Sequence, residues 1–295
     1  MATTPITTAK TDSALKRLVG LEAFPQPNFI GIEHPVVLMH GLGMMAVIRR
    51  AGHLHDVAMQ YRTHGIRAFA PNVPPYNPVS VRANIWKSRI DQILEETRSE
   101  HIHLIAHSMG GLDARYLISK EGYHRHVKTL TTIATPHHGS SIANFVLEQP
   151  ERLRAILVDF ANWMGDNAME EVHADFFNTI AELTPEYICT TFNEEVPDHD
   201  SVLYWSYAAR SGKGTSTRMS PFLMPLNLIL HNREGENDGF VSVESARWGN
   251  LLGVLEADHA QQLGLQLPIQ STFDSQQFYT QLAHRIAAVD ANQSI

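Results

Sequence analysis

The sequence predicts an α/β protein in which helices flank a mostly parallel sheet. Three observations support this class. Short, β-branched apolar runs alternate with longer segments of helical period along the chain, which is typical of strands and helices in turn. Hydrophobic residues make up 43% of the sequence and charged residues 18%, the balance of a globular protein. A chain of 295 residues is also long enough to bury roughly 75% of its unfolded surface in one core.

The expected elements follow in order along the chain. Residues 1–33 are expected to form a peripheral arm with turn-forming prolines and a glycine near its end, and residues 34–295 a single domain. Six short apolar runs bounded by turn residues are expected to be strands; they lie at 35–40, 67–73, 101–107, 127–135, 202–209 and 226–231. Helices are expected at 79–100 and from the end of the third strand to about Lys120.

The pattern changes between 141 and 200, where bulky apolar residues occur without a clear strand. This segment predicts a helical insertion after the fourth strand, at the position of a cap or lid over the carboxyl edge of the sheet. Crossover helices that simply pack on the sheet would give the same pattern. Both interpretations stay open.

The segment IHLIAHSMGGL at 102–112 ends an apolar strand in a serine, followed by glycines and a helical pattern. A serine on such a turn is typical of a nucleophile elbow, in which strained backbone exposes the side-chain oxygen above the sheet. Gly110 and Gly111 supply small residues on the helix side, whereas Ala106 stands where the usual pattern has glycine. Ser108 is therefore a candidate nucleophile, and an ordinary turn serine is the alternative.

Three further segments extend this arrangement. The motif LMHGLG ends the first strand, so the N–H groups of Leu42 and Met109 are placed to stabilise an oxyanion together. Asp238 lies in an Asn-Asp-Gly turn after the expected sixth strand, and His259 lies in a loop after the apolar run NLLGVL. Such turns also occur without catalysis. The order serine, aspartate, histidine, each beyond an expected strand, is nevertheless that of the α/β-hydrolase triad.

Four segments, HGLG, AHSMGGLDARYL, TIATPHHGSSIA and NDGFVSV with the later DH, resemble the triacylglycerol lipases of the α/β-hydrolase superfamily. The resemblance is to the bacterial true lipases and their fungal intracellular relatives, and it extends from about residue 34 to about 265. The segment FNEEVPD at 192–198 is similar to the one before their late strands. The resemblance implies an α/β-hydrolase fold and ester hydrolysis without a cofactor. It implies that Ser108 is the nucleophile, Asp238 the acid and His259 the base.

One position departs from that family. Many of its bacterial members carry an aspartate two residues after the catalytic histidine, which binds a structural Ca²⁺, and Gln261 stands there in this chain. An amide is a poor replacement for a carboxylate facing a hard cation. We therefore expect no calcium at this site, and we assign no other metal site.

Several histidines compete for roles in this region. His40 and His107 are expected to line the substrate pocket. His107 is a poor candidate for the base, because it is adjacent to Ser108 and adjacent side chains on a turn diverge. The histidines at 101, 103 and 107 alternate along one strand, where packing is favoured over metal binding. The same preference holds for His137 and His138, which follow the fourth strand.

Other acidic residues are weaker candidates. Asp198 and Asp200 precede the fifth strand and are less suitable than Asp238 as the triad acid. Asp113 and Arg115, on the helix after the elbow, are expected to form a structural polar pair.

Composition excludes some functions. A net charge of −8 without a block of lysine and arginine argues against a nucleic-acid partner. Cys189 is the single cysteine, and the N-terminus has no apolar run of signal-peptide length. These features predict a cytoplasmic protein, although removal of a signal would leave the same sequence.

The expected partner is an ester or lipid substrate, with transient contact at a lipid interface through an exposed lid; the oligomeric state is left open. The apolar segment at 141–200 favours acyl chains. A small-ester carboxylesterase, a thioesterase or an acyltransferase would use the same triad. A hydrolase fold without activity, serving as a binding protein, is the alternative from another class.

Overall fold

A computed structural model describes residues 28–42, 54–151, 175–265 and 272–291, together with Lys16. Its centre is a six-stranded parallel sheet in the order β2-β1-β3-β4-β5-β6. The strands are β1 (Val36–Met39), β2 (Ala68–Phe69), β3 (Ile102–His107), β4 (Val127–Ile133), β5 (Leu203–Arg210) and β6 (Asn250–Glu256). The mostly parallel sheet that the sequence predicts is confirmed.

Helices lie between the strands and after the last one. They are α1 (His55–Thr63), α2 (Val79–Thr97), α3 (Gly110–Lys120), α4 (Ser141–Leu147), α5 (Phe176–Ala181), α6 (Pro185–Tyr187), α7 (Asn193–Glu195), α8 (Met224–Glu234) and α9 (Ser275–Asp290). A π-helical turn, Ile188–Phe192, joins α6 to α7, and 3-10 turns occupy Tyr123–Arg125 and Gln261–Leu263. None of the helices in the described ranges combines the length and the apolar character needed to cross a membrane.

Two apolar cores lie on opposite faces of the sheet, because alternate strand residues point to opposite sides. On one face, strand residues such as Val36 and Leu38 pack with α1 and α9. On the other face, Val37 and Met39 pack with α2 and α3. This arrangement accounts for the nearly continuous apolar runs of the central strands, whose residues are buried on both sides.

Helix α2 illustrates how the sequence determines an element. Pro78, in extended conformation, precedes its first residue, and Arg98, in left-handed conformation, ends it. The buried residues Val79, Ala83 and Trp86 recur at spacings of four and three, and so form one buried stripe along the helix. Prediction and structure agree on this helix except for its last three residues.

The expected sixth strand at 226–231 is wrong, because these residues belong to helix α8. The run LNLILH is too short to distinguish the two structures by its period. Pro225 in the first turn favours a helix, and the buried residues Leu223, Asn227 and Leu230 have helical spacing. The sixth strand is β6, at 250–256, where the sequence indicates only a short apolar run.

Two of the predicted segments, the N-terminal arm and the insertion, are only partly covered by the structure. Of the expected arm, residues 28–33 are described; Ile30 is buried in the core, and its N–H donates to the carbonyl oxygen of His64 at 3.0 Å. The rest of the arm lies outside the described residues, apart from Lys16. Of the expected insertion at 141–200, residues 152–174 lie outside them.

The described part of the insertion packs above the sheet's carboxyl edge. Ile180 and Leu183 lie in one apolar cluster with Met109 and Leu112, at the start of α3. The strand order reverses between β1 and β3, and in parallel sheets such a switch point opens a crevice at the carboxyl ends of the strands. The two turns that leave β1 and β3 meet there.

Candidate active site

Ser108 occupies the turn between β3 and α3 with φ of 56°, in the left-handed region that residues other than glycine rarely adopt. The neighbouring strand holds this turn. The Ser108 N–H donates to the carbonyl oxygen of Ile133 at 2.9 Å, and the hydroxyl of Thr135 donates to the carbonyl oxygen of Ser108 at 2.7 Å. The elbow geometry predicted from the sequence is therefore present.

Ala106 and the glycines of the elbow have different surroundings. Ala106 is fully buried in the core, beside Met39 of β1, and its methyl group fits there. A Cβ at Gly110 would lie 2.7 Å from the Met39 carbonyl oxygen and 2.8 Å from that of His40. Close approach is thus required on the helix side of the turn and not on the strand side.

The turn after β1 lies directly against the elbow. A Cβ at Gly41 would lie 2.8 Å from the Met109 nitrogen and 2.8 Å from the Ser108 Cβ. The backbone at Gly41 is therefore beside the N–H of Met109, the residue before the first one of α3. Such a juxtaposition is what a two-donor oxyanion hole requires.

His40 supports this turn through both ring nitrogens. Nδ1 lies 2.9 Å from the carbonyl oxygen of Gly41, and the N–H of Val73 donates to Nε2 at 3.1 Å. Since Nε2 accepts, the proton is on Nδ1 and is donated to the Gly41 carbonyl. In a trans peptide the C=O and the next N–H point in opposite directions. The same contact therefore orients the N–H of Leu42, and the predicted pocket residue His40 is a buried support of the turn.

A buried ion pair joins this turn to helix α3. Arg82 and Asp113 have fully buried side chains, with Nη2 2.8 Å from Oδ2. Arg82 also donates to the carbonyl oxygens of Pro74 and His40, both at 2.7 Å. Burial raises the pKa of the Asp113 carboxyl, and the Arg82 guanidinium opposes this shift. Sequence reasoning missed Arg82, although a charged residue on the buried stripe of α2 was a usable signal.

The predicted polar pair of Asp113 and Arg115 is wrong, because the two side chains have separate partners. The Arg115 guanidinium lies 3.7 Å from the ring centre of Trp248 and donates to the Val196 carbonyl oxygen at 3.0 Å. Burial lowers the pKa of Arg115 to about 10. Residues 113 and 115 are two apart on a helix, so their side chains point in different directions.

The predicted acid and base are in contact. His259 Nδ1 lies 2.7 Å from Asp238 Oδ2, and the His259 N–H donates to the Asp238 carbonyl oxygen at 3.0 Å. Asp238 is fully buried, and the N–H groups of Phe240 and Val241 donate to its Oδ1 at 3.0 and 2.9 Å. The Gln262 amide donates to Oδ2 at 2.8 Å. Sequence reasoning missed Gln262.

The sequence predicts that Asp238 follows a strand, but in the structure it lies beyond helix α8. The loop carrying it returns to the end of β5, where the N–H of Ser211 donates to the carbonyl oxygen of Asn237 at 2.9 Å. His259 does follow β6 closely. The predicted base is beside the elbow, since the ring centre of His259 lies 4.5 Å from that of His107, the residue before Ser108.

The other candidate histidines are embedded in the structure. His103 bridges Thr129 Oγ1 and Asp290 Oδ1, each at 3.0 Å. His137 is buried beside Thr132, and burial lowers its pKa well below the usual value. Within the ranges that the structure describes, no group of three His, Cys, Asp or Glu side chains is arranged to hold a metal ion.

Gln261 forms its side-chain hydrogen bonds with residues outside the predicted triad. Its side-chain oxygen accepts from the Asp258 N–H at 2.9 Å, and its amide donates to the Arg218 carbonyl oxygen at 3.4 Å. The Asp258 carboxylate is occupied as well, since Ser220 donates to it through both N–H and hydroxyl, at 2.8 and 2.6 Å. Direct hydrogen bonds thus fix the segment at 258–261, and the absence of calcium stays a prediction.

Proteins with similar sequences include triacylglycerol lipases. A family model described as the PGAP1-like alpha/beta domain matches residues 80–162. Triacylglycerol lipase 2 of Saccharomyces cerevisiae is 29% identical over 205 residues, covering 67% of this chain and 58% of the yeast protein. A triacylglycerol lipase of Pseudarthrobacter phenanthrenivorans is 29% identical over 40% of this chain and 38% of its own length. The chain thus matches less than two thirds of the length of either relative.

Solved structures show the same fold. A metagenomic carboxyl esterase aligns with a TM-score of 0.63 at 20% identity, over 92% of this chain and 79% of its own. The mature lipase of Bacillus licheniformis aligns with a TM-score of 0.59 at 19% identity, over 82% of this chain and 89% of its own. Taken with the parallel sheet, these similarities show that the chain shares the fold of these lipase and esterase structures.

Proposed function

We propose that this protein hydrolyses carboxylic esters, and in particular lipid esters, through Ser108, His259 and Asp238. The observation that carries the proposal is the 2.7 Å contact between His259 and the buried Asp238, in a loop beside the left-handed turn of Ser108. A serine nucleophile requires a base and a group that orients the base. The lipase relatives support the same reaction class.

In this mechanism the tautomer of His259 follows from its partner. A buried carboxylate accepts hydrogen bonds only, so Nδ1 carries the proton towards Asp238. The lone pair is then on Nε2, which takes the proton of Ser108 as its oxygen attacks the ester carbonyl. Asp238 also stabilises the imidazolium that forms.

The negative charge that develops on the carbonyl oxygen is stabilised by the N–H groups of Leu42 and Met109. Each donor of this kind contributes about 3 kcal/mol to transition-state stabilisation. The positive end of the α3 dipole adds to this effect, because the helix begins at Gly110, two residues after the nucleophile. The protonated His259 then donates to the departing alcohol, and water repeats the sequence on the acyl-enzyme.

The acyl group is assigned to the apolar surface beside the turn at Gly41 and Leu42, which we call the oxyanion turn. Leu42 packs with Tyr76 and Phe176, whose ring centres are 5.7 Å apart. Leu42 also borders the cluster that contains Met109 and Ile180. Apolar side chains above the elbow favour an acyl chain over a polar substrate, and we infer that the described part of the predicted insertion, at 175–200, contributes to a cap over this surface.

The primary experiment compares wild type with Ser108→Ala on p-nitrophenyl esters from acetyl to palmitoyl. We expect turnover by wild type, with preference for the longer chains, and its loss in a folded Ser108→Ala variant. Ser201→Ala is a matched control, because this exposed serine precedes the opposite, amino end of β5. Activity retained by Ser108→Ala would refute the assignment.

Other outcomes separate the alternatives. Turnover of short-chain esters alone would indicate a small-ester carboxylesterase. Transfer of the acyl group to an added thiol or alcohol would indicate an acyltransferase. A fluorophosphonate probe should label wild type at Ser108. A folded wild type that is neither labelled nor active would identify a binding protein with a hydrolase fold.

A further inference from the structure

We propose that Gln262 is a positioning residue of this reaction, which holds the carboxylate of Asp238 and the imidazole of His107 around the base. The proposal rests on the proposed function, because it assigns Asp238 and His259 to the triad. Gln262 is fully buried, in the 3-10 turn Gln261–Leu263 that follows His259. Its side-chain hydrogen bonds within the described residues are to Asp238 and His107, so its effect on the reaction of Ser108 is indirect.

The partners of the Gln262 amide determine its orientation. A carboxylate only accepts hydrogen bonds, so the nitrogen of the amide must face Asp238 Oδ2, at 2.8 Å. The amide oxygen then faces His107 Nε2, at 3.0 Å. Because an amide oxygen only accepts hydrogen bonds, the Nε2 atom of His107 must carry a proton. Gln262 thus links the residue before the nucleophile to the triad acid.

Two donors converge on one oxygen of the acid. Asp238 Oδ2 accepts from both His259 Nδ1 and Gln262 Nε2, while Oδ1 accepts from two backbone N–H groups. The amide therefore restricts rotation of the Asp238 carboxylate, and this rotation determines the direction in which Oδ2 accepts the hydrogen bond from His259. It also holds the His107 ring, whose centre lies 4.5 Å from that of His259. Positioning within about 0.5 Å is what such constellations require.

The adjacent glutamine provides a matched control. Gln261 lies in the same turn and is also buried, but its amide bonds Asp258 and Arg218 rather than the triad. Substituting either residue by methionine removes two hydrogen bonds of one buried amide at nearly constant volume. A structural role alone would give both variants the same catalytic behaviour.

The first test measures kcat and KM of Gln262→Met and Gln261→Met at pH 8. For Gln262→Met we expect kcat to fall about tenfold or more with KM nearly unchanged, because ground-state binding is not altered. Gln261→Met should lose thermal stability to a similar extent and keep kcat within about twofold. Equal kcat values for the two variants would overturn the proposal.

The second test is the pH profile of Gln262→Glu. A carboxyl group at this position would lie within hydrogen-bond distance of Asp238, so the two would share one proton at low pH. The shared proton imitates the donor of the amide, and its loss places two like charges together. The other titratable groups around it are His107 and His259.

We therefore expect kcat/KM of Gln262→Glu relative to wild type to fall about fivefold or more between pH 6 and pH 9. The same ratio for Gln262→Met should not change with pH. A Gln262→Glu ratio that stays constant with pH would overturn the proposal, even if the methionine variant is slow.

Ser108→Ala and fluorophosphonate labelling distinguish this proposal from the proposed function. If wild type is labelled and active but Gln262→Met resembles Gln261→Met, only the role of Gln262 fails. If wild type is neither labelled nor active, the proposed function fails first. The rate of labelling provides a readout without an ester substrate, and Gln262→Met should lower it about tenfold.

Discussion

The substitution Arg82→Met tests the buried ion pair beneath the oxyanion turn. Methionine removes two contacts with Asp113, at 2.8 and 2.9 Å, and the hydrogen bonds to the Pro74 and His40 carbonyl oxygens. Among the described residues, the fully buried Asp113 carboxylate then keeps only the Trp86 indole as donor, at 3.1 Å. Removing one partner of such a pair costs about 3–5 kcal/mol, because the other charge is left without compensation.

A loss of this size should lower Tm by roughly 6–15 °C in a chain of this length, and thermal unfolding followed by circular dichroism measures it. The double variant Arg82→Met/Asp113→Leu should be more stable than Arg82→Met by about 2 kcal/mol, because no buried charge remains. A Tm within about 1 °C of wild type for Arg82→Met would refute the reasoning.

The pH dependence supplies an independent check. Burial raises the pKa of Asp113 and Arg82 opposes the shift, so the pKa should rise further in Arg82→Met. A carboxyl whose pKa is higher in the folded state binds a proton more readily there, so its unfavourable contribution grows as the pH rises through that window. The difference in unfolding free energy between wild type and Arg82→Met should therefore shrink from pH 8 to pH 5.5. A difference that widens on acidification would contradict this account.

Three further outcomes are expected. Gly41→Ala should lower kcat by about a hundredfold or more, the effect of losing one oxyanion donor, because the new Cβ would meet the Met109 nitrogen and the Ser108 Cβ. Activity near that of wild type would contradict this. Asp290→Asn should reduce stability by about 1–3 kcal/mol at pH 7, since its carboxylate accepts from His103 and two backbone N–H groups. His103 holds the pKa of Asp290 below its ordinary value, against the effect of burial, so this difference should disappear as the pH falls below about 4, in urea unfolding. Calcium chelation should leave Tm and activity unchanged, and a chelator-sensitive Tm would contradict the absence of a calcium site.

Much of the fold could be predicted because its signals are local. The elbow is a contiguous motif, and the spacing of apolar residues in α2 defines its buried stripe. The strand predicted at 226–231 failed for a related reason, since six apolar-rich residues fit a helix as well as a strand. In that case the tertiary setting of Asn227 and Leu230 determined the structure.

The supporting residues of the site could not be predicted as readily, because their partners are distant in sequence. Arg82 meets Asp113 across 31 residues, and Gln262 meets Asp238 across 24. Composition and period carry no information on such pairings. Arg82 at least interrupts a buried stripe, whereas Gln262 is an unremarkable polar residue in a loop.

The close packing of the two turns separates the chemistry of this fold from its substrate preference. A Cβ at Gly41 or Gly110 would collide with the other turn, so under the proposed function a larger side chain at either position is expected to abolish the reaction itself. The segment that carries Phe176 packs on the turns through replaceable side chains and leaves their backbone unchanged. Under the proposed function, a lineage with this architecture can exchange one acyl chain for another by mutating the segment above the elbow, while the proposed reactive groups below it are inherited unaltered.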